Sequence, residues 1–93
     1  MNKGELIDVI ASTTNVTKKE ADAILTALVD TIVSEVSGGN KVSLVGFGSF
    51  ERRERQAREG RNPKTGEKML IPATRVPAFS PGKSFKEKVT SND

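Results

Sequence analysis

The chain has no cysteine and no histidine among its 93 residues. Without cysteine there is no disulfide, no thiolate zinc site and no thiol nucleophile. Without histidine, the usual general base near neutral pH and the commonest metal ligand are both absent. Only carboxylates and hydroxyls remain for catalysis, and no set of nucleophile, base and orienting group can be assembled from them. We therefore expect a protein that is not an enzyme and that uses no metal and no cofactor.

Long apolar segments are also lacking. The longest apolar runs are a few residues, whereas a transmembrane helix needs roughly 20, and the first residues lack the basic and then apolar layout of a signal peptide. We expect no membrane partner and a cytoplasmic location. Leu, Ile, Val and Phe still make up about a quarter of the chain, which is enough for one folded domain.

What the sequence does contain is an uneven distribution of charge. Its 15 Lys and Arg residues and 12 Asp and Glu residues give a net charge of +3. Residues 1–51 carry a net −3, residues 52–75 a net +5 and residues 76–93 a net +1. A cationic segment on a nearly neutral body indicates a polyanionic partner.

Helix signals fill the first forty residues. Asn2 is a suitable N-cap, and apolar residues at helical spacing predict a first helix from about Lys3 to Thr14. The capping box Thr17–Glu20 predicts a second helix, which ends at Gly38-Gly39. The apolar stripe of this second helix is wide, which indicates contact with more than one neighbour.

From Lys41 onward the apolar period changes to two, which predicts strands. After a first strand, the stretch Gly46–Phe50 turns the chain into a second strand that continues through the arginines to Gly60. A turn follows at Arg61–Gly66, and a return strand runs from Glu67 toward Phe79. The result is a long two-stranded ribbon.

Prolines refine this prediction. Pro72 and Pro77 cannot donate to a ladder, so they belong at edges or bulges and the ribbon should stand free. Ser80 is expected to cap a short C-terminal helix over Lys83–Val89, with Pro81 at its first position.

The part of the chain outside residues 52–75 is small. A core of fewer than about 70 residues seldom contributes more than about 3–5 kcal/mol without disulfides, metal or association. Since the first two are unavailable, we predict one domain over residues 1–93 that forms an obligate homodimer. Residues 1–51 and 76–93 form its body, and residues 52–75 form an arm. The predicted dimer core is Leu28, Ile32, Leu44, Phe47, Phe50 and Phe79.

The arm is cationic along its whole length. About ten residues per strand, at roughly 3.3 Å each, reach about 30 Å, and an isolated hairpin of this kind is mobile until it meets a ligand. Arg53 and Arg55 share a face by the period of two, while Arg58 and Arg61 lie nearer the tip. Guanidinium groups suit phosphates and the narrow minor groove. The alternative is a solvated edge strand protected against aggregation.

The tip, Arg61–Gly66, also has two interpretations. Its Asn, Pro and Gly suit an ordinary turn, and the pattern alone favours that interpretation. In the other, Pro63 is an apolar wedge between base pairs, because its ring is rigid and has no backbone donor to satisfy.

Several of these motifs occur together in one known family. The segments Gly46-Phe47-Gly48-Ser49-Phe50-Glu51, Gly60-Arg61-Asn62-Pro63-Lys64-Thr65 and Ile71-Pro72-Ala73 resemble the bacterial histone-like HU proteins in residues and spacing. The resemblance covers nearly the whole chain, and its tip motif is highly specific. HU proteins are themselves standard examples of minor-groove architectural binders.

The resemblance implies an α+β fold and a function. The fold would be an intertwined homodimer with an N-terminal helical hairpin as its base, a three-stranded antiparallel sheet, long β-ribbon arms and a short C-terminal helix. The protein would wrap, bend and compact duplex DNA in the nucleoid without sequence specificity, stabilise it and prefer distorted duplexes. Pro63 would intercalate. The implied DNA-binding residues are Lys3, Arg53, Arg55, Arg58, Arg61, Asn62, Pro63, Lys64, Thr65, Arg75, Lys83 and Lys86.

Two other functions stay open. The related integration host factor has the same arms, so a sequence-preferring DNA-bending subunit is one alternative. The other is a general RNA- or polyanion-binding module whose basic arms coat any phosphate chain. Competition between nicked DNA and RNA of equal charge separates this module from an architectural binder of duplex DNA, since pure electrostatics gives no preference.

Overall fold

The computed structural model describes residues 1–91 and has an α+β fold, as predicted. Its elements in chain order are α1 (Lys3–Thr14), α2 (Lys18–Ser37), β1 (Val42–Leu44), β2 (Gly48–Arg55), β3 (Arg58–Arg61), β4 (Lys68–Ile71), β5 (Thr74–Pro81) and α3 (Lys83–Ser91). The chain divides into two compact units, Met1–Ser34 and the residues from Glu35 onward.

Capping residues determine where α1 and α2 begin. The Asn2 Oδ1 accepts a hydrogen bond from the backbone N–H of Glu5 at 2.9 Å. The Thr17 Oγ1 accepts one from the backbone N–H of Glu20 at 3.1 Å. Between the helices, Asn15 adopts the left-handed conformation with φ 58°, which asparagine tolerates better than most residues. The predicted caps at Asn2 and Thr17 are confirmed.

Within the first unit, two ion pairs join α1 to α2. The Lys3 Nζ lies 3.5 Å from Asp22 Oδ1, and the Lys18 Nζ lies 3.2 Å from Asp8 Oδ1. All four side chains are more than half exposed, and exposed pairs contribute only about 0–1 kcal/mol each. The pairs therefore add little to the stability of this unit.

Helix α2 ends at the predicted glycines. Gly39 has a φ of 91°, a conformation that only glycine adopts readily. Its N–H donates to the Val36 carbonyl at 3.0 Å, and the N–H of Asn40 donates to the Glu35 carbonyl at 2.9 Å. These bonds satisfy carbonyl groups that the helix leaves free at its end.

Strands β1, β2 and β5 form the predicted three-stranded antiparallel sheet, with β2 in the centre. Phe50 on β2 lies opposite Val42 on β1 and opposite Phe79 on β5. Pro77 lies on β5, opposite Arg52. Because β5 is an edge strand, it can accommodate a proline, as the sequence predicted.

Gly48 permits the close contact between the start of β2 and the end of β5. A Cβ atom on this residue would lie 2.5 Å from the Ser80 carbonyl oxygen and 2.7 Å from the Phe79 ring. Carbon atoms at such distances would overlap a backbone group that cannot move aside. Glycine at this position therefore allows the pairing of Gly48 with Pro81.

Strands β3 and β4 form a separate two-stranded sheet. The prediction of two uninterrupted strands was wrong, because Gln56-Ala57 interrupts one strand and Pro72-Ala73 interrupts the other at the same level. Pro72 has no N–H to donate, so the ladder cannot continue through it. The position of Pro72 outside both strands agrees with the predicted edge or bulge.

The start of the last helix also differs from the prediction. Ser80 and Pro81 are not its cap and first residue, because both belong to β5, where they pair with Ser49 and Gly48. Helix α3 begins at Lys83 and extends to Ser91 rather than ending at Val89. The ladder with β2 provides the backbone partners of Ser80 and thus overrides its local capping preference.

The four phenylalanines form one cluster in the second unit. Ring centroids are 4.9 Å apart for Phe50 and Phe79, 5.2 Å for Phe47 and Phe79, and 5.4 Å for Phe47 and Phe85. Tilted pairs at these distances suit the ring quadrupoles. The cluster joins β2, β5 and α3 and forms the apolar centre of one face of the sheet.

Candidate nucleic-acid interface

The β2–β5 ladder sorts the arginines onto two faces of the sheet. Arg53 lies opposite Val76, and Arg55 lies opposite Thr74. Paired residues project to the same side and successive residues alternate, so these four side chains share one face, called here the front face. The prediction that Arg53 and Arg55 share a face is confirmed.

The other side of the ladder, the back face, carries Arg52, Glu54 and Arg75. Arg75 lies opposite Glu54 in the register. The Glu54 Oε1 is 3.5 Å from Arg75 Nε and 3.7 Å from Arg52 Nη2. The structure therefore does not place Arg75 beside Arg53 among the predicted DNA-binding residues, but in an ion pair on the opposite face.

Arg52 also makes a contact that the sequence did not predict. Its Nη1 donates to the Ser37 carbonyl at 3.2 Å, at the C-terminus of α2. The last turn of α2 has no basic residue of its own, and a cation at this end of a helix offsets the dipole and the free carbonyls. Arg52 is thus a capping residue of α2. No local pattern reveals this role, because the two residues are 15 positions apart.

Arg53 is held in place by neighbours on the front face. Its Nε and Nη2 donate to Glu51 Oε1 at 3.2 and 3.1 Å, and its Nη2 also donates to Ser80 Oγ at 3.1 Å. Arg53 is 57% exposed and Glu51 is 32% exposed, and ion pairs at the protein surface contribute only about 0–1 kcal/mol. An incoming anion can therefore replace the carboxylate at small cost.

Among the residues that the structure describes, the outer cations of the arm have no ion-pair partner. Within residues 1–91, no carboxylate forms an ion pair with Arg55, Arg58, Arg61 or Lys64. Arg58 lies opposite Ile71 and Arg61 lies opposite Lys68. Because Arg58 and Arg61 are three residues apart on one strand, they project to opposite faces. The outer arm therefore presents positive charge on both sides.

Hydrogen bonds within the turn hold the tip. The Asn62 Oδ1 accepts from the backbone N–H of Lys64 at 2.9 Å, and the Asn62 carbonyl accepts from the N–H of Gly66 at 2.7 Å. The Thr65 Oγ1 accepts from the N–H of Glu67 at 3.3 Å. Pro63 is exposed and has no N–H to satisfy. The side chains of Asn62 and Thr65 thus shape the turn, which presents the Pro63 ring.

The remaining predicted DNA-binding lysines lie at helix starts. Lys3 opens α1, and its Nζ contacts Asp22 Oδ1 at 3.5 Å and Thr26 Oγ1 at 3.3 Å. In the second unit, Lys83 opens α3 with its side chain 90% exposed. Lys86 is exposed one turn later. Free amides and the dipole at a helix start attract anions.

The residues predicted to form the dimer core are only partly covered in the single chain. On α2, Leu28 is 46% exposed and Ile32 is half-buried. In the second unit, Phe47 is 43% exposed, Leu44 and Phe79 are exposed to a similar degree, and Phe50 is half-buried.

Phe85 was missing from the predicted core, although it stacks on Phe47 with an interplanar angle of 12°. Phe85 and Val89 are the two large apolar residues of a short polar helix, and two residues are too few to identify a core position by periodicity. In the described part of the chain, no group of three or more metal-ligating side chains is present, and no helix combines the length and apolar character required to cross a bilayer.

The sequence matches a known family. Residues 1–90 fit the profile of the family described as "Bacterial DNA-binding protein". The chain is 72% identical over 89 residues to "DNA-binding protein HU" of a Nostoc strain, covering 96% of this chain and 95% of that one. It is 54% identical to the protein of the same name from Geobacillus stearothermophilus, covering 96% and 99% of the two chains.

Solved structures show the same fold. An Anabaena HU–DNA cocrystal structure matches with a TM-score of 0.88 at 72% identity, covering 96% of this chain and 97% of the other. HU from Thermotoga maritima matches with a TM-score of 0.69 at 38% identity, covering 96% and 98%.

Proposed function

This chain belongs to the family of bacterial DNA-binding proteins, and from that membership we propose that it is an architectural protein that binds duplex DNA without sequence preference. It wraps, bends and compacts the duplex through the minor groove, stabilises it and prefers distorted DNA. The relatives reported above carry the name HU, and one matching structure is an HU–DNA complex. No observation favours the sequence-preferring alternative. The proposal assigns the chain no catalytic role.

The unpaired charge of the outer arm carries this proposal. Arg55, Arg58, Arg61 and Lys64 have no carboxylate partner within residues 1–91. Each phosphate that such a group neutralises releases counterions. Contacts of this kind position a protein on the duplex without reading bases, which supports binding without sequence preference. Arg53 joins them by exchanging Glu51 for a phosphate.

The tip bends the duplex. Pro63 enters between base pairs as an apolar wedge, and the hydrogen bonds of Asn62 and Thr65 keep the turn in shape while it does so. Unstacking a base step costs a few kcal/mol. Nicked, gapped or mismatched duplexes have already lost part of that stacking, so they bind more tightly than intact ones.

The functional molecule is a homodimer. Large apolar side chains are uncovered in each unit, among them Ile24 at 61% exposure on α2 and Phe47 at 43% in the second unit. A second copy of the chain can bury both surfaces and supply the core that one chain lacks. The proposed interface contains Leu28, Ile32, Leu44, Phe47, Phe50 and Phe79.

The proposed division of the chain is a body over residues 1–51 and 76–93 and an arm over residues 52–75. Lys3, Lys83 and Lys86 hold further phosphates of the duplex. The predicted set also includes Arg75, which lies on the back face in an ion pair with Glu54. We place the protein in the cytoplasm, on the nucleoid.

Two measurements test this function. Sedimentation equilibrium of the purified chain gives its mass, and a gel shift compares an intact duplex with the same duplex carrying a nick. We expect the mass of two chains and tighter binding to the nicked duplex. A monomer, or equal affinity for the two duplexes, contradicts the proposal.

Competition with RNA separates architectural binding from general polyanion binding. A duplex RNA of the same length and charge is titrated against the complex with nicked DNA. We expect the DNA to be retained. If the RNA displaced the bound nicked DNA as readily as an equal concentration of the same nicked DNA does, the general polyanion-binding module would be favoured instead.

A further inference from the structure

Strand β1 supports only the first part of the ladder between β2 and β5. On the side of the arm, its last pair joins Val42 to Phe50. Among the described strands, the part of β2 from Glu51 to Arg55 therefore pairs with β5 alone. We call this part of β2, together with its partners on β5, the arm root. Because a two-stranded ladder is only marginally stable in water, the direction of the arm root depends on contacts outside the ladder.

The back face of the arm root makes such contacts. Arg52 Nη1 donates to the Ser37 carbonyl at 3.2 Å, and its guanidinium covers Gly39, where a Cβ atom would lie 3.0 Å from Arg52 Nη2. The Glu54 Oε1 lies 3.7 Å from Arg52 Nη2 and 3.5 Å from Arg75 Nε. A chain of contacts thus runs from the end of α2 along β2 and across to β5.

Glu54 is the centre of this chain, because both arginines contact the same carboxylate oxygen. The Glu54 side chain is 64% exposed, so solvent screens its contacts, and an isolated exposed pair contributes only about 0–1 kcal/mol. Three linked charges are a better case than an isolated pair, and these charges act where the ladder has no third strand. We therefore expect the loss of Glu54 to affect the direction of the arm root more than the stability of the whole domain.

Another link between β2 and β5 lies on the front face. The Arg53 Nη2 donates to Ser80 Oγ at 3.1 Å. Arg53 belongs to the proposed DNA interface, so phosphates compete with Ser80 for its guanidinium. Arg52, Glu54 and Arg75 project to the back face, and their contacts therefore remain when a duplex lies on the front face.

We propose that Arg52, Glu54 and Arg75 form a brace that fixes the direction of the arm root relative to the end of α2, and that the bend imposed on the duplex depends on this brace. Glu54 is its central positioning residue and acts without touching DNA. The inference rests on the proposed function and adds the element that directs the arm. A braced root transmits the force of the bound arm to the sheet, whereas an unbraced root follows the path of the duplex and bends it less.

Two matched substitutions test the brace. Glu54→Gln keeps the size of the side chain and removes the charge that holds both arginines. Glu59→Gln makes the same change on β3, where Glu59 lies opposite Leu70 and forms no ion pair within residues 1–91. Both variants gain the same net charge, so a difference between them does not come from charge alone. Melting curves at one protein concentration show whether each variant folds as the wild type does.

The measurements are the bend angle, from energy transfer between dyes at the two ends of a duplex, and the Kd for the same duplex. We expect Glu54→Gln to give a smaller bend than Glu59→Gln at a similar Kd. In the free protein, hydrogen exchange of the amides in the arm root should be about threefold faster in Glu54→Gln than in Glu59→Gln. Equal bend angles in the two variants overturn the inference, whatever the exchange rates. Failure of the wild type to bend duplex DNA would instead overturn the proposed function.

A double-mutant cycle shows whether Glu54 acts through Arg75. Both Glu54→Gln and Arg75→Gln cut the link between the two strands, so the double variant should bend DNA about as much as Glu54→Gln alone. Additive losses of bend angle would mean that the two residues act separately, which overturns the brace. If Glu54→Gln does not fold, Arg75→Gln decides alone: a smaller bend than that of the wild type supports the brace, and an equal bend overturns it.

Discussion

Arg75 and Glu54 lie directly opposite each other on β5 and β2, with 3.5 Å between Arg75 Nε and Glu54 Oε1. The next residue along β2, Arg55, projects to the front face and has no ion-pair partner in the part of the chain that the structure describes. Neighbouring pairs of the ladder thus contain Arg75, which is paired within the chain, and Arg55, which is available to a phosphate.

Salt dependence measures this difference. We expect Arg55→Ala to reduce the slope of log Kd against log salt concentration by about 0.9, the value for one phosphate contact. Arg75→Ala should leave the slope nearly unchanged, because Arg75 projects to the back face, away from Arg53 and Arg55. Fluorescence anisotropy with a labelled duplex at several salt concentrations gives both slopes. Equal losses in the two variants would place Arg75 among the phosphate contacts.

The wedge at the tip can be tested by separating bending from affinity. Pro63→Ala removes the rigid ring but no charge, so we expect a smaller bend angle with little change in the affinity for intact duplex. Lys64→Ala removes one charge and keeps the ring, so it should weaken binding and preserve the bend. Energy transfer between dyes at the two ends of a duplex reports the angle. A Pro63→Ala variant that bends DNA as the wild type does would rule out the wedge.

The proposed dimer interface predicts a change of mass. Leu28→Asp places a carboxylate on the uncovered stripe of α2, where a second chain would have to bury it without a partner. We expect this variant to sediment as a single, largely unfolded chain, since folding and association are linked. Leu70→Asp makes the same chemical change on the arm and should keep the mass of the dimer. A folded monomeric Leu28→Asp chain would show that one copy needs no partner.

The contact between Arg52 and the end of α2 predicts a loss of stability rather than of DNA binding. The Arg52 side chain is 27% exposed, and its loss removes the side-chain donor of the Ser37 carbonyl. We expect Arg52→Ala to lower the free energy of unfolding by about 1–2 kcal/mol, in the range for a cation at a helix C-terminus. Arg52→Lys should recover part of this loss.

Urea unfolding at a fixed protein concentration measures this effect. Arg58→Ala is the matched control, because its side chain is exposed and unpaired within residues 1–91, so its stability should equal that of the wild type. If Arg52→Ala were as stable as Arg58→Ala, the contact with Ser37 would contribute nothing.

The helices could be predicted from the sequence because their signals are local. Asn2 and Thr17 each accept a hydrogen bond from the backbone N–H three residues further along, and Gly39 ends α2 by its own backbone conformation. The shared face of Arg53 and Arg55 was equally accessible, since alternation along a strand needs no knowledge of the partner strand.

The incorrect or missing predictions concern residues whose structure depends on contacts with segments that are distant in the sequence. Ser80 has the local pattern of a helix cap, but the ladder with Ser49 keeps it in β5. The capping role of Arg52 and the position of Phe85 in the aromatic cluster likewise depend on segments that meet only after folding. Predicting the interruption of the ribbon required knowing that Pro72 and Gln56 lie at the same level of two paired strands.

The interruption of both strands at the same level divides the arm into two separately paired parts. The four residue pairs of β3 and β4 form the outer ladder, and β2 and β5 form the inner ladder. Gln56-Ala57 and Pro72-Ala73 are the two short connections between these ladders. Rotation of their backbone dihedral angles can therefore reorient the outer ladder without breaking a cross-strand hydrogen bond. An arm built in this way can change direction at the interruption while both ladders keep their hydrogen bonds, which would let it adapt to duplexes of different curvature.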